Sequence, residues 1–266
     1  MKFAVGYQLP EEGEEPLTAI VADFRDRIAE VYFPWLDQPS GRSPMSARTV
    51  KEHFPGVEVR ASINLRLGTV KALEYVADVF DSFNVQREHN RDLDRIREIK
   101  AWAEAHGKRL QFLANSGCLS FCSGQVFHDN LVAHEAEIAR TVNTTGWNPS
   151  QCWNYLADRS HWVALLQSTW IRPEDIPLHD GLFSVAKLAT RMHANPRRVI
   201  RAYCEGRYRG NLLDLLEPSR SPLIAPHIID NERFPADWFE RTTACDKRCH
   251  ACGYCEGVLD QVLVAC

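Results

Sequence analysis

The densest chemistry in this 266-residue chain is Cys245-x3-Cys249-x2-Cys252-x2-Cys255, close to its C-terminus. Two successive two-residue gaps let three thiolates converge on one small inorganic core, because the short backbone between them wraps the centre while each sulfur points inward. Four free thiols packed this closely would be a redox hazard, so the spacing argues for metal binding. Zinc sites pair two short knuckles across a loop of about a dozen residues or more, whereas C-x2-C-x2-C is the iron–sulfur style, and iron–sulfur is the preferred reading. His250, inside the run, is read as facing solvent or hydrogen-bonding a ligand.

A second group begins at Asn115-Ser116-Gly117-Cys118, runs to Cys122, and is joined by Cys152 thirty residues on. Three cysteines in loops at one end of a sheet suit a cluster held over its mouth; the alternative makes Cys118 and Cys122 small buried hydrophobes on one helical face. His128 and His134 follow, and either ring is able to relay protons at neutral pH or ligate a metal. His128, nearer the cysteine pair, is the candidate proton carrier, and His134 is read as structural. Cys204 reads as core, and Cys266 is left unassigned.

The third constellation is Arg172-Pro173-Glu174-Asp175. Arg172, expected at a strand end before a Pro-started helix, suits bidentate capture of a carboxylate, with Glu174 as an acid/base group or helix cap. Lys187 and Arg191 follow the next expected strand and would complete an anion-binding mouth. The competing reading is local salt bridging. Tyr7, Asn84, Arg87 and Asn115 also fall at expected strand ends and are candidate substrate contacts, although turn or capping roles explain such residues equally well.

The elements that must position these residues alternate. Strands are expected at Phe3–Tyr7, Glu30–Phe33, Val57–Ile63, Ser82–Gln86, Leu110–Ala114, Trp162–Leu166 and Phe183–Ala186, and helices at Leu73–Asp81 and Asp92–His106. The alternation predicts a parallel sheet, and the length suits a lean TIM-barrel-like (β/α) barrel. Residues 1–216 are the expected barrel domain, and 217–266 a linker and small Cys-rich C-terminal extension carrying the iron–sulfur cap. Its apolar tail, Val258–Ala265, is expected to pack on the barrel's own helices. A net charge of -4 offers no basic footprint, so a nucleic-acid partner is not required. Nine cysteines without a secretory-type opening, and no long apolar run, lead to the expectation of a cytoplasmic protein with no membrane span.

Taken together, Asn84-x-Gln86-Arg87-Glu88-His89-Asn90-Arg91-Asp92, Asn115-Ser116-Gly117-Cys118-x3-Cys122 with His128, Trp170-Ile171-Arg172-Pro173-Glu174-Asp175, and Ala202-Tyr203 with Gly210-Asn211-Leu212 resemble the peptidase U32 family, in particular its UbiU/UbiV-like iron–sulfur proteins. The resemblance covers residues 1–216, and the Cys-rich tail looks like that of some shorter members. It implies a barrel, one or two 4Fe-4S clusters, oxygen-independent hydroxylation or related oxygen or sulfur transfer, prephenate as oxygen donor, and a related U32-type partner subunit. Cys118, Cys122 and Cys152 match the family's cluster cysteines only approximately, and its glycine-alanine-cysteine signature is replaced by Asn115-Ser116-Gly117-Cys118. Cys245 is therefore expected to join the barrel cluster, leaving Cys249, Cys252, Cys255 and Cys266 for a second.

The expected function is thus an iron–sulfur oxidoreductase acting on a small anionic metabolite, with catalytic roles for His128, Arg172, Glu174 and Lys187. A hydrolase, as the family name suggests, finds neither His-Glu-x-x-His nor Gly-x-Ser-x-Gly in the chain. A non-catalytic electron-transfer subunit of a heterodimer is the third reading.

Overall fold

A computed structural model describes residues 1–6, 19, 22–32, 44–54, 56–133, 150–190 and 193–266. Strands β1 (Lys2–Gly6), β2 (Ile28–Tyr32), β3 (Arg60–Ala61), β4 (Ser82–Asn84), β5 (Arg109–Leu113) and β6 (Val185–Leu188) form one sheet, ordered β2-β1-β6-β5-β4-β3. Every neighbouring pair is parallel. Read as a ring, the order is simply chain order with β6 returning to β1, and among the described residues β2 and β3 do not pair. One face of the sheet is apolar, with Phe83, Phe112 and Ala186 wholly buried, while the other buries Ser82, Asn84 and Gln111.

The helices are α1 (Pro44–His53), α2 (Val70–Glu74), α3 (Leu93–Ala105), α4 (Gln125–Ala133), α5 (Gln151–Leu156), α6 (Val163–Leu166), α7 (Pro196–Glu205), α8 (Ser221–Ile224), α9 (Trp238–Thr243) and α10 (Tyr254–Val262). In α3 the Asp92 carboxylate accepts from the Arg95 amide and caps the helix. Ile96, Ile99, Trp102 and Ala103 face the core, and Gly107 at φ 63 ends the run.

Several expected elements change. Trp162–Leu166 is helical, because an apolar run this short has no period of its own and follows a helical turn started by Asp158. Val57–Ile63 pairs only at Arg60–Ala61, and Ser62 then caps a helical turn over Ile63–Leu65. The helix expected over Leu73–Asp81 begins earlier, capped by Thr69, and ends at Glu74. Arg172 follows no strand; it precedes a helical turn over Pro173–His179.

The tail is part of the same core. A further antiparallel pair joins β7 (His227–Ile229) to β8 (Leu263–Ala265). Ile224, Ile229, Trp238, Val258 and Val262 share one continuous apolar cluster with Phe3 and Phe112. Trp238 stacks on Trp170, ring centroids 5.8 Å apart, and Glu217 bridges to Ser116 beside the end of β5.

Candidate metal and anion site

Because β3, β4 and β5 run parallel, the segments that follow them meet at one edge of the sheet. Asn115, wholly buried just past β5, is the clamp there. Its Nδ2 donates to the carbonyls of Ala189 (2.8 Å) and Leu215 (2.9 Å), and its Oδ1 accepts from the Ala189 amide at 2.7 Å. Two residues on, a Cβ at Gly117 would collide with the Pro218 carbonyl oxygen, so glycine lets the chain pass close to residues 216–218.

That turn delivers Cys118 to a buried arginine. Arg87, only 6% exposed, donates from Nη1 to the Cys118 sulfur (3.1 Å) and from Nη2 to Asn64 Oδ1 (2.7 Å), with Asp129 at 3.6 Å. Cys152, in α5, is served likewise: Arg220, 2% exposed, donates from Nη2 to its sulfur at 2.9 Å, while its Nε and Nη1 have no partner. Burial pushes the Cys152 thiol up, the Arg220 charge pulls it back, and negative charge on Cys122 or Cys118 would push it higher.

The tail cysteines form their own group. Burial raises the Cys255 thiol to about 11, opposed by Arg91 and reinforced by charge on Cys249, Cys245 and Cys252. Burial also raises Cys249, with Cys245 and Cys252 adding to it. Cys245 lines a cavity with Arg87 and Ser120 on the mouth side and Cys249 and Cys255 on the tail side. The chain reverses at Lys247, whose φ is 61 and whose amide donates to the Cys245 sulfur at 3.3 Å. Cys266 is exposed; Cys204 is 6% exposed in the core, its thiol raised to about 11 by burial.

Among the described residues, no three His, Cys, Asp or Glu donors are arrayed to hold a metal ion as they stand. The chemistry of the donor sets does fit an iron–sulfur centre: each is rich in thiols and faces a buried guanidinium that offsets thiolate charge.

A cavity of about 60 Å³ lies between mouth and tail, with Arg87, Asn90 and Arg91 on one side and Cys245, Lys247 and Cys255 on the other. The Arg91 guanidinium donates to the carbonyls of Leu166 (3.1 Å) and Trp170 (2.7 Å) and lies 4.4 and 5.0 Å from the ring centroids of Trp170 and Trp238. Burial drags its pKa down to about 10.

The remaining candidates lie elsewhere or are engaged. Arg172 donates to both oxygens of Asp175, at 3.1 and 3.3 Å, and to the Asn231 carbonyl. Glu174 Oε1 accepts from the Tyr208 amide and from Asn231 Nδ2, both at 2.8 Å. Lys187 is inside β6, opposite Leu113. Asn84 Nδ2 donates to the Ala61 carbonyl at 3.0 Å. His128, on α4, has Nε2 3.4 Å from the Ser150 hydroxyl at the start of the Cys152 helix. Tyr7, Arg191 and His134 lie outside the described residues. Sequence reasoning missed Arg91, Arg220 and Lys247. Lys247 was visible inside the cysteine run, whereas nothing links Arg220 to Cys152 across 68 residues.

Fold and site thus define a mixed α/β protein with a parallel sheet and thiol groups at its carboxyl edge. No family model matches the chain, and no solved structure matches it. It is similar to the Uncharacterized protease MJ1657 of Methanocaldococcus jannaschii, 28% identical over 211 residues that make up 78% of this chain and 61% of that protein. The chain therefore spans about three-fifths of that relative's length. Among the described residues, no helix is long and apolar enough to cross a membrane.

Proposed function

We propose that this chain is a cytoplasmic iron–sulfur oxidoreductase of the peptidase U32 type. It would carry out oxygen-independent hydroxylation, or a related oxygen or sulfur transfer, on a small anionic metabolite. The observation that carries this reading is two sets of thiols, Cys118/Cys122/Cys152 with Arg87 and Arg220 donating to Cys118 and Cys152, and the local run Cys245/Cys249/Cys252/Cys255, of which Cys245, Cys249 and Cys255 share a cavity with Arg91. The ring order of the strands supports a TIM-barrel-like domain over residues 1–216, with 217–266 as its cap.

In this reading Cys118, Cys122 and Cys152 would hold one 4Fe-4S cluster and the tail cysteines a second. A bound cluster supplies one-electron chemistry and a Lewis-acidic position for the oxygen donor, for which the resemblance points to prephenate. Arg87 and Arg220 orient the sulfurs and offset their charge. His128, beside the Cys152 helix, moves protons. Asn84 and Asn115 hold the mouth in shape, and Arg172, fixed on Asp175, positions the helical turn that carries Glu174. Tyr7, Lys187 and Arg191 remain candidate substrate contacts, and a related U32-type subunit is the candidate partner.

The test is Cys118→Ala in anaerobically purified protein, which should bleach the brown chromophore and abolish turnover. A fully active, colourless variant would end the proposal. The relative's name offers a second reading, a protease; peptide cleavage that survives chelation and cysteine replacement would favour it.

A further inference from the structure

A second cavity, of about 560 Å³, runs along α7 and the segment that follows it, and no cysteine lines it. Among the described residues its walls carry five arginines, Arg197, Arg198, Arg201, Arg207 and Arg209, and a single carboxylate, Glu205. Residues 195–210 therefore hold a net charge of +4 in a chain whose total is -4.

The guanidinium groups are held by ion pairs that an anion can replace. Arg197 meets Asp23 at 2.8 Å, Arg198 meets Asp214 at 3.2 Å and Arg209 meets Glu232 at 3.1 Å, and none of these three carboxylates lines the cavity. Arg201 and Arg207 share Glu205, at 3.2 and 3.7 Å. Arg201, Arg207 and Arg209 are exposed, and ion pairs at such exposure are worth little. All three make their closest contact through Nε, which leaves the two Nη groups of each able to fork onto an oxyanion.

The wall itself is built from buried groups. The Tyr208 amide donates to Glu174 Oε1 and its carbonyl accepts from Asn231 Nδ2, both at 2.8 Å, and the Asn231 amide donates to the Gly210 carbonyl at 3.0 Å. Asn231 is 2% exposed, and Gly210, at φ 123, takes a conformation that favours glycine. The backbone carrying Arg207 and Arg209 is thus fixed opposite α7 before any ligand arrives, which lowers the ordering cost of binding.

We propose that this groove binds a small molecule carrying two or more phosphate groups. Guanidinium forks match phosphate oxygens, and cations supplied from both α7 and residues 207–209 exceed what one phosphate can engage. The volume suits a molecule of nucleotide size. A nucleic-acid track would need a basic footprint extending past this stretch, which the acidic total does not provide. The site goes beyond the oxidoreductase reading and needs no thiol.

The test is calorimetric titration of the full chain with inorganic phosphate, pyrophosphate, triphosphate and citrate, at about 50 mM salt so that surface charge is little screened. Pyrophosphate and triphosphate should bind at least about tenfold tighter than phosphate and than citrate, a tricarboxylate. Arg207→Gln combined with Arg209→Gln should weaken triphosphate binding at least about tenfold at an unchanged melting temperature, and the two lysine replacements should restore only part of the loss. Arg95→Gln with Arg97→Gln, which removes two cations on α3, should leave binding as it was. No saturable binding of triphosphate at about 10 mM, phosphate or citrate binding as tightly as triphosphate, or an affinity unmoved by the Arg207 and Arg209 changes would overturn the site. So would an equal loss in the Arg95 and Arg97 variant, or a single-stranded RNA that displaces triphosphate and binds tighter. Iron measured on the same sample separates the two readings: binding without iron keeps this site and sinks the oxidoreductase, and iron without binding does the reverse.

Discussion

Replacing Arg91 by leucine probes the joint between tail and sheet. The substitution removes two charged hydrogen bonds, to Leu166 and Trp170, worth about 3–6 kcal/mol together. It also removes the cation lying over Trp170 and Trp238, worth about 1–2 kcal/mol. Against this, burial outweighs the neighbouring negative charges and lowers the Arg91 pKa to about 10, so the buried cation carries a net electrostatic cost of about 3 kcal/mol that leucine does not bear. The net loss is therefore about 3 kcal/mol, a substantial share of a typical domain's stability. In urea, with a slope of about 3 kcal/mol per M, the midpoint should fall by about 1 M. Arg91→Lys keeps the charge but serves only one carbonyl well, and should lose about half as much. A leucine variant within about 0.5 kcal/mol of the parent, or a lysine variant less stable than the leucine one, would refute the reasoning.

Three further outcomes follow from other sites. Asn115→Ala strips three hydrogen bonds from a wholly buried clamp and should cost about 3 kcal/mol, lowering the melting temperature by roughly 6–12 °C; a change below about 2 °C would contradict its role. His179 is wholly buried, and burial holds its folded pKa below 6.5, so the unfolded chain binds the proton more readily. Stability should therefore be fullest above about pH 6.5 and decline as pH falls toward the folded value, by at most about 1.4 kcal/mol per pH unit for this one group; urea midpoints that rise on acidification would contradict this. In the reduced, metal-free chain, exposed Cys245, Cys252 and Cys266 should react with a thiol reagent first, while Cys204, raised to about 11, should react only on unfolding; early labelling of Cys204 would show its burial to be wrong.

Much of the sheet was legible because its strands are short apolar runs between turn residues. Phe3–Tyr7, Ser82–Gln86 and Leu110–Ala114 lie within about a residue or two of β1, β4 and β5. Asp92–His106 was legible for a different reason, since cap, helical period and terminal glycine all agree there. Trp162–Leu166 was not, because an apolar run of that length suits a strand or one buried helical turn, and only the preceding Asp158 turn decides. In the site, the cysteines and Arg87 announced themselves by spacing and position. Their guanidinium partners Arg91 and Arg220 did not, because a pairing across long sequence separation leaves no local pattern. Arg172 shows the opposite failure: a cation that looked available for a ligand is engaged by its neighbour Asp175.

The central claim, that the two thiol groups hold iron–sulfur clusters, is tested most directly by counting iron and acid-labile sulfide in anaerobically purified chain and recording its paramagnetic-resonance spectrum. About eight of each per chain are expected, together with the signals of reduced 4Fe-4S centres. Zinc in place of iron, or a chain with neither iron nor sulfide, would contradict it.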